Sequence, residues 1–222
     1  FARSTLQNWS NMFRMDGDFD YEPTPEMALE SLAAKAGRKP QELAIEAMLE
    51  DEGRGMLYVP FLNYANYSLD PAREMLLHAN SVPSLSDGGA HVGMICDGSF
   101  PTYNLVHWTR DRKRGARIAL EKMVAMQTAD TAALIGLHDR GRISPGLRAD
   151  INIIDYARLR LKPPSVAYDL PAGGKRLLQK AEGYEATIVA GAVTYRDGEP
   201  TGAMPGRLLR GARAAPQAIA AE

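Results

Sequence analysis

Residues 84–98, Ser-Leu-Ser-Asp-Gly-Gly-Ala-His-Val-Gly-Met-Ile-Cys-Asp-Gly, hold the side chains best placed to do chemistry. Apolar Val82 and Leu85 lead into Ser86-Asp87-Gly88-Gly89, and His91 follows. A strand that ends in an aspartate and breaks on two glycines puts a carboxylate at a sheet rim, within reach of a metal ion or a substrate. From the residues alone a second reading stays open, in which Asp87 only caps the turn before Gly88-Gly89. A catalytic zinc takes about three protein ligands, and the other candidates lack ligand spacing. The four histidines, His78, His91, His107 and His138, are scattered. His78 falls on a helix face and His138 at a helix end, both structural places. His91 and His107 lie in or near the loop after Asp87 and can face a site there. The acidic run Asp16, Asp18, Asp20, Glu22 is not a calcium loop. Such a loop needs glycine at its sixth place and glutamate at its twelfth. Counted from Asp16, those places hold Tyr21 and Met27.

The elements that must position Asp87 follow a βα rhythm. Thr24-Pro25-Glu26 is a helix start, with Pro25 at the first helical position. Met27, Leu29, Leu32, Ala33 and Ala36 give that helix its apolar face, and Gly37 stops it. Lys39-Pro40 opens a second helix. The apolar run at 55–65 predicts a strand buried on both faces of a parallel sheet, with Pro60 at its end or at a bulge. Asp70-Pro71 caps a short helix before the strand that carries Asp87. This alternation is of α/β type. A long loop over 88–104 comes next, with Arg110, Arg112 and Arg114 at a solvated helix start. Residues 115–137 read as helix, broken near Gln127-Thr128. Beyond Gly141 the period changes. Ile151–Asp155 is strand-like, residues 157–184 are Pro- and Gly-rich loop, and residues 186–196 predict a hairpin turning at Ala190-Gly191. Asp197-Gly198 supplies a further turn, and residues from 211 onward predict a frayed tail.

Composition narrows the function classes. A net charge of −1 over 222 residues gives no global field to recruit nucleic acid or an anionic membrane. No apolar run spans a bilayer. Cys96 is the only cysteine, which excludes an internal disulfide and fits a reducing, cytoplasmic setting. The chain opens at Phe1-Ala2-Arg3 without an initiator methionine. That start suits a processed terminus, a tag scar or the later part of a longer protein.

Taken together, three strings carry a resemblance: Ser86-Asp87-Gly88-Gly89-Ala90-His91, Arg140-Gly141-Arg142-Ile143-Ser144-Pro145-Gly146-Leu147-Arg148-Ala149-Asp150, and the strand at 151–155. The sequence resembles the amidohydrolase superfamily, and within it the D-aminoacylase (N-acyl-D-amino-acid deacylase) group. The segments Val189–Val193 and Gly202–Gly211 add to the likeness, which covers roughly residues 25–211. The pattern Gly-X-Ile-X-Pro-Gly-X-X-Ala-Asp before a branched strand is its most specific part.

The resemblance implies a fold of α/β plus β. Residues 1–147 would be the last βα units of a metal-dependent (β/α)8 barrel. Residues 148–211 would be strands of a small β-sandwich, and 212–222 a tail. A whole barrel takes about 250 residues, so this chain would be a C-terminal portion. Asp87 would end the eighth barrel strand, take a proton from a metal-bound water and pass it to the leaving nitrogen. It would serve as catalytic residue and as one contact to zinc or a related divalent ion. Gly88, Gly89 and His91 would line the substrate mouth. The family's His-X-His pair and its other ligands lie on earlier strands and have no counterpart here. The place of its His-Pro-Arg reads Phe100-Pro101-Thr102. The expected substrate is an N-acyl amino acid or cyclic amide, hydrolysed at a non-peptide C–N bond by the complete enzyme. The isolated chain is expected to hold no stoichiometric metal, to be inactive alone, and to self-associate or pair with the missing N-terminal part. A reading from another class is a non-catalytic, truncated module that acts in assembly.

Overall fold

A computed structural model describes residues 7–17, 19–83 and 91–216. The chain forms two compact units, Phe1–Ala79 with Ser165–Tyr168, and Asn80–Pro164 with Asp169–Glu222.

In the first unit, β1 (Phe13–Arg14) is followed by α1 (Leu29–Ala36), α2 (Pro40–Gly53), β2 (Leu57–Tyr58) and α3 (Asp70–Leu77). The first helix begins at Leu29, later than Thr24-Pro25 suggests. Pro25–Met27 is a single 3₁₀ turn, and Ala28 is extended. The reason is a tertiary contact: Leu29 N–H donates to Met12 O at 2.9 Å, and Ala28 bridges Phe13. Gly37 ends α1 as expected. It sits at φ 64°, its N–H reaches Ala34 O, and Arg38 N–H reaches Ala33 O, a Schellman closure. Helix α2 starts on Pro40, and its regular backbone stops before extended Glu50. Met12, Leu29 and Ala44 form the core, with Trp9, Leu43, Leu57 and Val59 against them.

The run at 55–65 is not a doubly buried parallel strand. Leu57–Tyr58 pairs antiparallel to β1, and Ala65 makes a single bridge to Ser68. Pro60 removes a ladder donor, and Asn63 turns left-handed at φ 61°. Phe61 and Leu62 are exposed. Tyr58, Tyr64 and Tyr67 instead pack around the fully buried Phe13 ring. Glu22 is buried and accepts the Leu69 N–H at 2.8 Å, holding the residue that opens α3.

In the second unit, α4 (Phe100–Tyr103) continues as a π-helical turn over Asn104–Asp111. Residues 115–119 are not helical. Helix α5 (Leu120–Ala125), a π-helical segment Met126–Asp130 and α6 (Thr131–Leu134) then follow. The widened turn at 126–130 falls where the sequence predicts a break, near Gln127-Thr128. Strand β3 (Ile151–Ile154) precedes β4 (Arg160–Leu161), β5 (Ser165–Leu170, of which Ser165–Tyr168 belong to the first unit), β6 (Gly174–Leu178), β7 (Ala181–Glu182), β8 (Tyr184–Val189), β9 (Ala192–Arg196) and β10 (Glu199–Pro200). A four-stranded sheet has the order β10-β9-β8-β3, with each neighbouring pair antiparallel. The hairpin at 186–196 forms as predicted. Ala190 and Gly191 both have positive φ (50° and 82°), the requirement of a tight two-residue turn, and Asp197-Gly198 repeats it (49° and 83°). The region 157–184, expected as loop, contains four short strands. Strands β4 and β7, at two residues each, are too short for a legible alternation. The end of the chain is partly tied down: Arg213 N–H donates to Gly136 O at 2.7 Å and His138 N–H to Arg213 O at 3.0 Å. Residues 212 and 213 therefore do not fray as expected.

Candidate functional site

Asp87, Gly88 and Gly89 lie outside the described residues. What the structure gives is the segment that leaves them. His91 is exposed and left-handed at φ 57°. Its carbonyl accepts Met94 N–H at 2.8 Å and Ile95 N–H at 3.0 Å, so it opens a tight turn. Val92 O accepts the Leu177 N–H of β6 at 2.7 Å. Ser99 Oγ donates to Gln179 Oε1 at 2.5 Å, and Thr102 Oγ1 and Tyr184 OH are 2.8 Å apart. Three successive ties thus hold the downstream flank of the Asp87 loop to strands β6–β8. Cys96, half-buried on this flank, has its thiol pushed up by burial and then by the charge of Asp97. That environment suppresses the thiolate, so Cys96 is not set up as a nucleophile.

The expected loop becomes helix at Phe100, and the arginines beyond are not a solvated helix start. Arg110 is a staple. Its guanidinium reaches the carbonyls of Tyr156 and Leu159 (2.6 Å to the latter), pairs with Asp111, and lies over the Tyr156 ring at 5.3 Å. Tyr156 OH in turn meets Thr109 Oγ1 at 2.5 Å. Arg112 is only 2% exposed. It donates to Ala116 O at 2.8 Å and stands 4.9 Å over the Trp108 ring. A charged cluster at a helix end reads as solvated because those of its carbonyl and aromatic partners that lie nearly fifty residues on leave no local mark in the sequence. Trp108 within one turn of Arg112 was the available signal.

The remaining histidines do not gather. His78 caps the end of α3, exposed. His107 is buried, its ring stacked on Tyr103 at 4.7 Å and edge-on to Trp108 at 5.1 Å. His138 lies at the Arg213 bridge. Among the described residues no group of three His, Cys, Asp or Glu could hold a metal ion. Those residues alone therefore do not fit a catalytic zinc, which takes about three protein ligands.

The signature at 139–150 resolves into a second staple. Ser144-Pro145-Gly146-Leu147 is a turn closed by Leu147 N–H to Ser144 O at 3.2 Å, with Gly146 at φ 84°. Arg140 makes two bonds to Asp139 (2.8 and 3.1 Å) and reaches Asp150 at 3.0 Å. Arg148 meets both oxygens of Asp150 at 2.9 Å. Asp150 Oδ1 also accepts the Ala190 N–H at 2.8 Å, and Ala149 O accepts Gly191 N–H at 3.0 Å. The loop is thereby locked onto the β8–β9 turn just as β3 begins. The Arg140 guanidinium holds the Asp139 carboxyl below its usual range. Gly141, at φ 87°, passes against helix backbone, where an added Cβ would sit 3.0 Å from Ala129 Cα and Thr128 O. The glycine and aspartate of the signature are thus architectural.

A sequence model described as the amidohydrolase family matches residues 4–195. An imidazolonepropionase from Ruegeria sp. (strain TM1040) is 42% identical over 52 residues, which are 23% of this chain and 12% of that protein. A crystal structure of a D-aminoacylase shares 23% identity at a TM-score of 0.44, over 86% of this chain and 36% of that one. A D-aminoacylase mutant in complex with copper chloride gives 23% and 0.44, over 89% and 37%. A third, concerned with the binuclear metal center of D-aminoacylase, gives 23% and 0.43, over 86% and 36%. The chain thus spans a little over a third of those enzymes and about an eighth of the curated relative. Among the described residues no helix is long and apolar enough to cross a membrane.

Proposed function

Because the chain belongs to the amidohydrolase family, we propose that it forms part of a metal-dependent hydrolase of non-peptide C–N bonds, of N-acyl-D-amino-acid deacylase type. The observation that carries this reading is the family match over residues 4–195. On this proposal residues 1–147 are barrel units and 148–211 strands of a β-sandwich. The working enzyme contains more chain than these residues, as the partial coverage of the relatives supports. The substrate is a small N-acyl amino acid or cyclic amide, and the setting is cytoplasmic.

Asp87 is the acid/base: its carboxylate takes a proton from the attacking water and delivers it to the departing nitrogen. Gly88 and Gly89 leave room beside it, and His91 stands at the mouth. The three ties of Val92, Ser99 and Thr102 favour this role, since a proton carrier needs a fixed approach to its substrate. Zinc or a related divalent ion belongs to the complete enzyme. Asp87 contributes to its site together with residues from the rest of the protein.

In the complete enzyme, Asp87→Asn should lower kcat by roughly two to four orders of magnitude with metal content nearly intact, since the other ligands remain. Equal turnover of N-acyl-D-amino acids, hydantoins and lactones by variant and parent refutes the assignment. The 222-residue chain should be inert toward N-acyl amino acids even with added zinc, and zinc-dependent amidase activity from it would overturn the incomplete-site reading. The dispersal of the four histidines favours one second reading, a non-catalytic module that acts in assembly. Metal analysis separates the two in the complete protein: stoichiometric, tightly held metal supports the enzyme, and its lack supports the module.

A further inference from the structure

The near-zero net charge hides a strong asymmetry. Residues 1–79 hold seven Lys and Arg against thirteen Asp and Glu, whereas residues 80–222 hold nineteen against fourteen. Two exposed surfaces concentrate this difference, and both are also apolar.

The basic surface is the arm at 202–212. Its two ends are fastened. Thr201 Oγ1 donates to Val193 O at 2.7 Å and accepts the Ala203 N–H at 3.3 Å. At the far end Arg213 is bridged to Gly136 and His138. Between these anchors the arm presents Met204, 93% exposed, and Leu208, 74% exposed. Arg207 and Arg210 are exposed, and neither forms an ion pair among the described residues. A segment fixed at both ends loses less conformational entropy on docking than a free tail. Exposed methionine and leucine beside unpaired guanidinium groups make up the composition of an interface core with its charged rim.

The acidic surface is the outer side of α2. Ala44 and Ala47 face the core, while Ile45, Met48 and Leu49, one helical face by their spacing, are exposed. Glu50, Asp51 and Glu52 follow directly. Asp51 and Glu52 have positive φ, which ends the helix there. Arg14 and Arg54 neutralise only part of the local charge, because Asp16 joins the same group. The carboxyl end of the helix adds a further partial negative charge.

We infer that the arm of one copy docks on α2 of a second copy. Met204 and Leu208 cover the Ile45–Met48–Leu49 face, and Arg207 and Arg210 meet the Glu50–Glu52 end.

The test is sedimentation of the 222-residue chain. Mass should rise with concentration in about 20 mM salt and fall in about 500 mM, where screening acts within a few ångströms. Arg207→Glu with Arg210→Glu should weaken association at least about tenfold, and Glu50→Lys with Glu52→Lys should do the same. Mixing these two charge-reversed chains should restore it, since each then carries the complement of the other. Met204→Ser with Leu208→Ser provides an uncharged check that leaves Arg14 and Arg54 alone, and should also weaken association about tenfold. Ile153→Lys on the open edge strand β3 should change nothing. A monomer at every concentration, reversals without effect, failure of the mixture to associate, or loss of association in Ile153→Lys alone each overturns the proposal.

Discussion

Two pairs of arginines hold the second unit together by different chemistry. Arg112 meets a backbone carbonyl and the face of the nearly inaccessible Trp108, while Arg110 meets two backbone carbonyls and the Tyr156 ring besides its pair with Asp111. Arg140 and Arg148 are satisfied by carboxylates, Asp139 and Asp150, at a half-exposed turn. A carbonyl or a ring keeps its attraction for a cation at any pH. A carboxylate loses it on protonation, and loses part of it to salt. The same residue type thus gives one joint that leans mostly on carbonyls and rings and one that rests on carboxylates.

The sharpest way to break the contrast is at Arg112. Arg112→Ala removes a buried side chain, its bond to Ala116 O and its place over Trp108. The expected cost is about 3 kcal/mol, the sum of a lost charged hydrogen bond, a cation–π contact and a void. Urea unfolding measures it. A loss under about 0.5 kcal/mol would mean that the guanidinium is solvated, as the sequence reading has it. Arg112→Lys should recover only part of the loss, because an ammonium lacks the planar face that lies on the indole.

The carboxylate joint should yield less at neutral pH and more in acid. Arg140 is about one-sixth exposed at the side chain, and Arg140→Ala should cost about 1 kcal/mol near pH 7. The Arg140 guanidinium depresses the Asp139 carboxyl in the folded chain. A depressed folded value gives stability that is full above the unfolded carboxylate value of about 4 and disappears as pH falls through the folded value. The cost of Arg140→Ala should therefore shrink between about pH 5 and pH 2. The bond of Arg112 to Ala116 O and its place over Trp108 do not titrate, so that share of the Arg112→Ala cost should persist across the same window. Parallel pH profiles for the two variants would erase the distinction.

What was legible in the sequence follows the same division between local and distant causes. Ala190-Gly191 and Asp197-Gly198 carry their own turn geometry, so the hairpins over 186–196 and beyond are readable. Gly37 ends α1 for an equally local reason. The pattern at 141–150 was recognisable as a signature, and its glycine and aspartate prove to be fitted to backbone and turn. By contrast, Leu57–Tyr58 takes its antiparallel partner from Phe13–Arg14, more than forty residues earlier. Arg110 finds Tyr156 and Leu159 later in the chain. Periodicity cannot reveal such partners, and hydrophobic or charged runs then revert to the commonest assumption, buried strand or solvated helix. The Asp87 assignment rests on a motif and not on a period, which is why the decisive experiment on it is a change at Asp87 itself.

The smallest expected effect sits where the two chemistries meet. Tyr156 offers Arg110 both a ring face and a backbone carbonyl, while its hydroxyl meets Thr109 Oγ1. Tyr156→Phe removes only the hydroxyl and leaves the ring and carbonyl in place. The hydroxyl lies in a half-buried position, so its loss should cost about 0.5–1 kcal/mol. Thr109→Val deletes the other half of the same bond, and Thr109 also donates to Leu105 O, which makes its single cost somewhat larger. If the hydroxyl pair is one shared interaction, the double variant should cost less than the two single losses added together, by about 0.5 kcal/mol or more. Strict additivity would show that Tyr156 serves Arg110 alone, and would leave the joint made of carbonyls and rings without this hydroxyl.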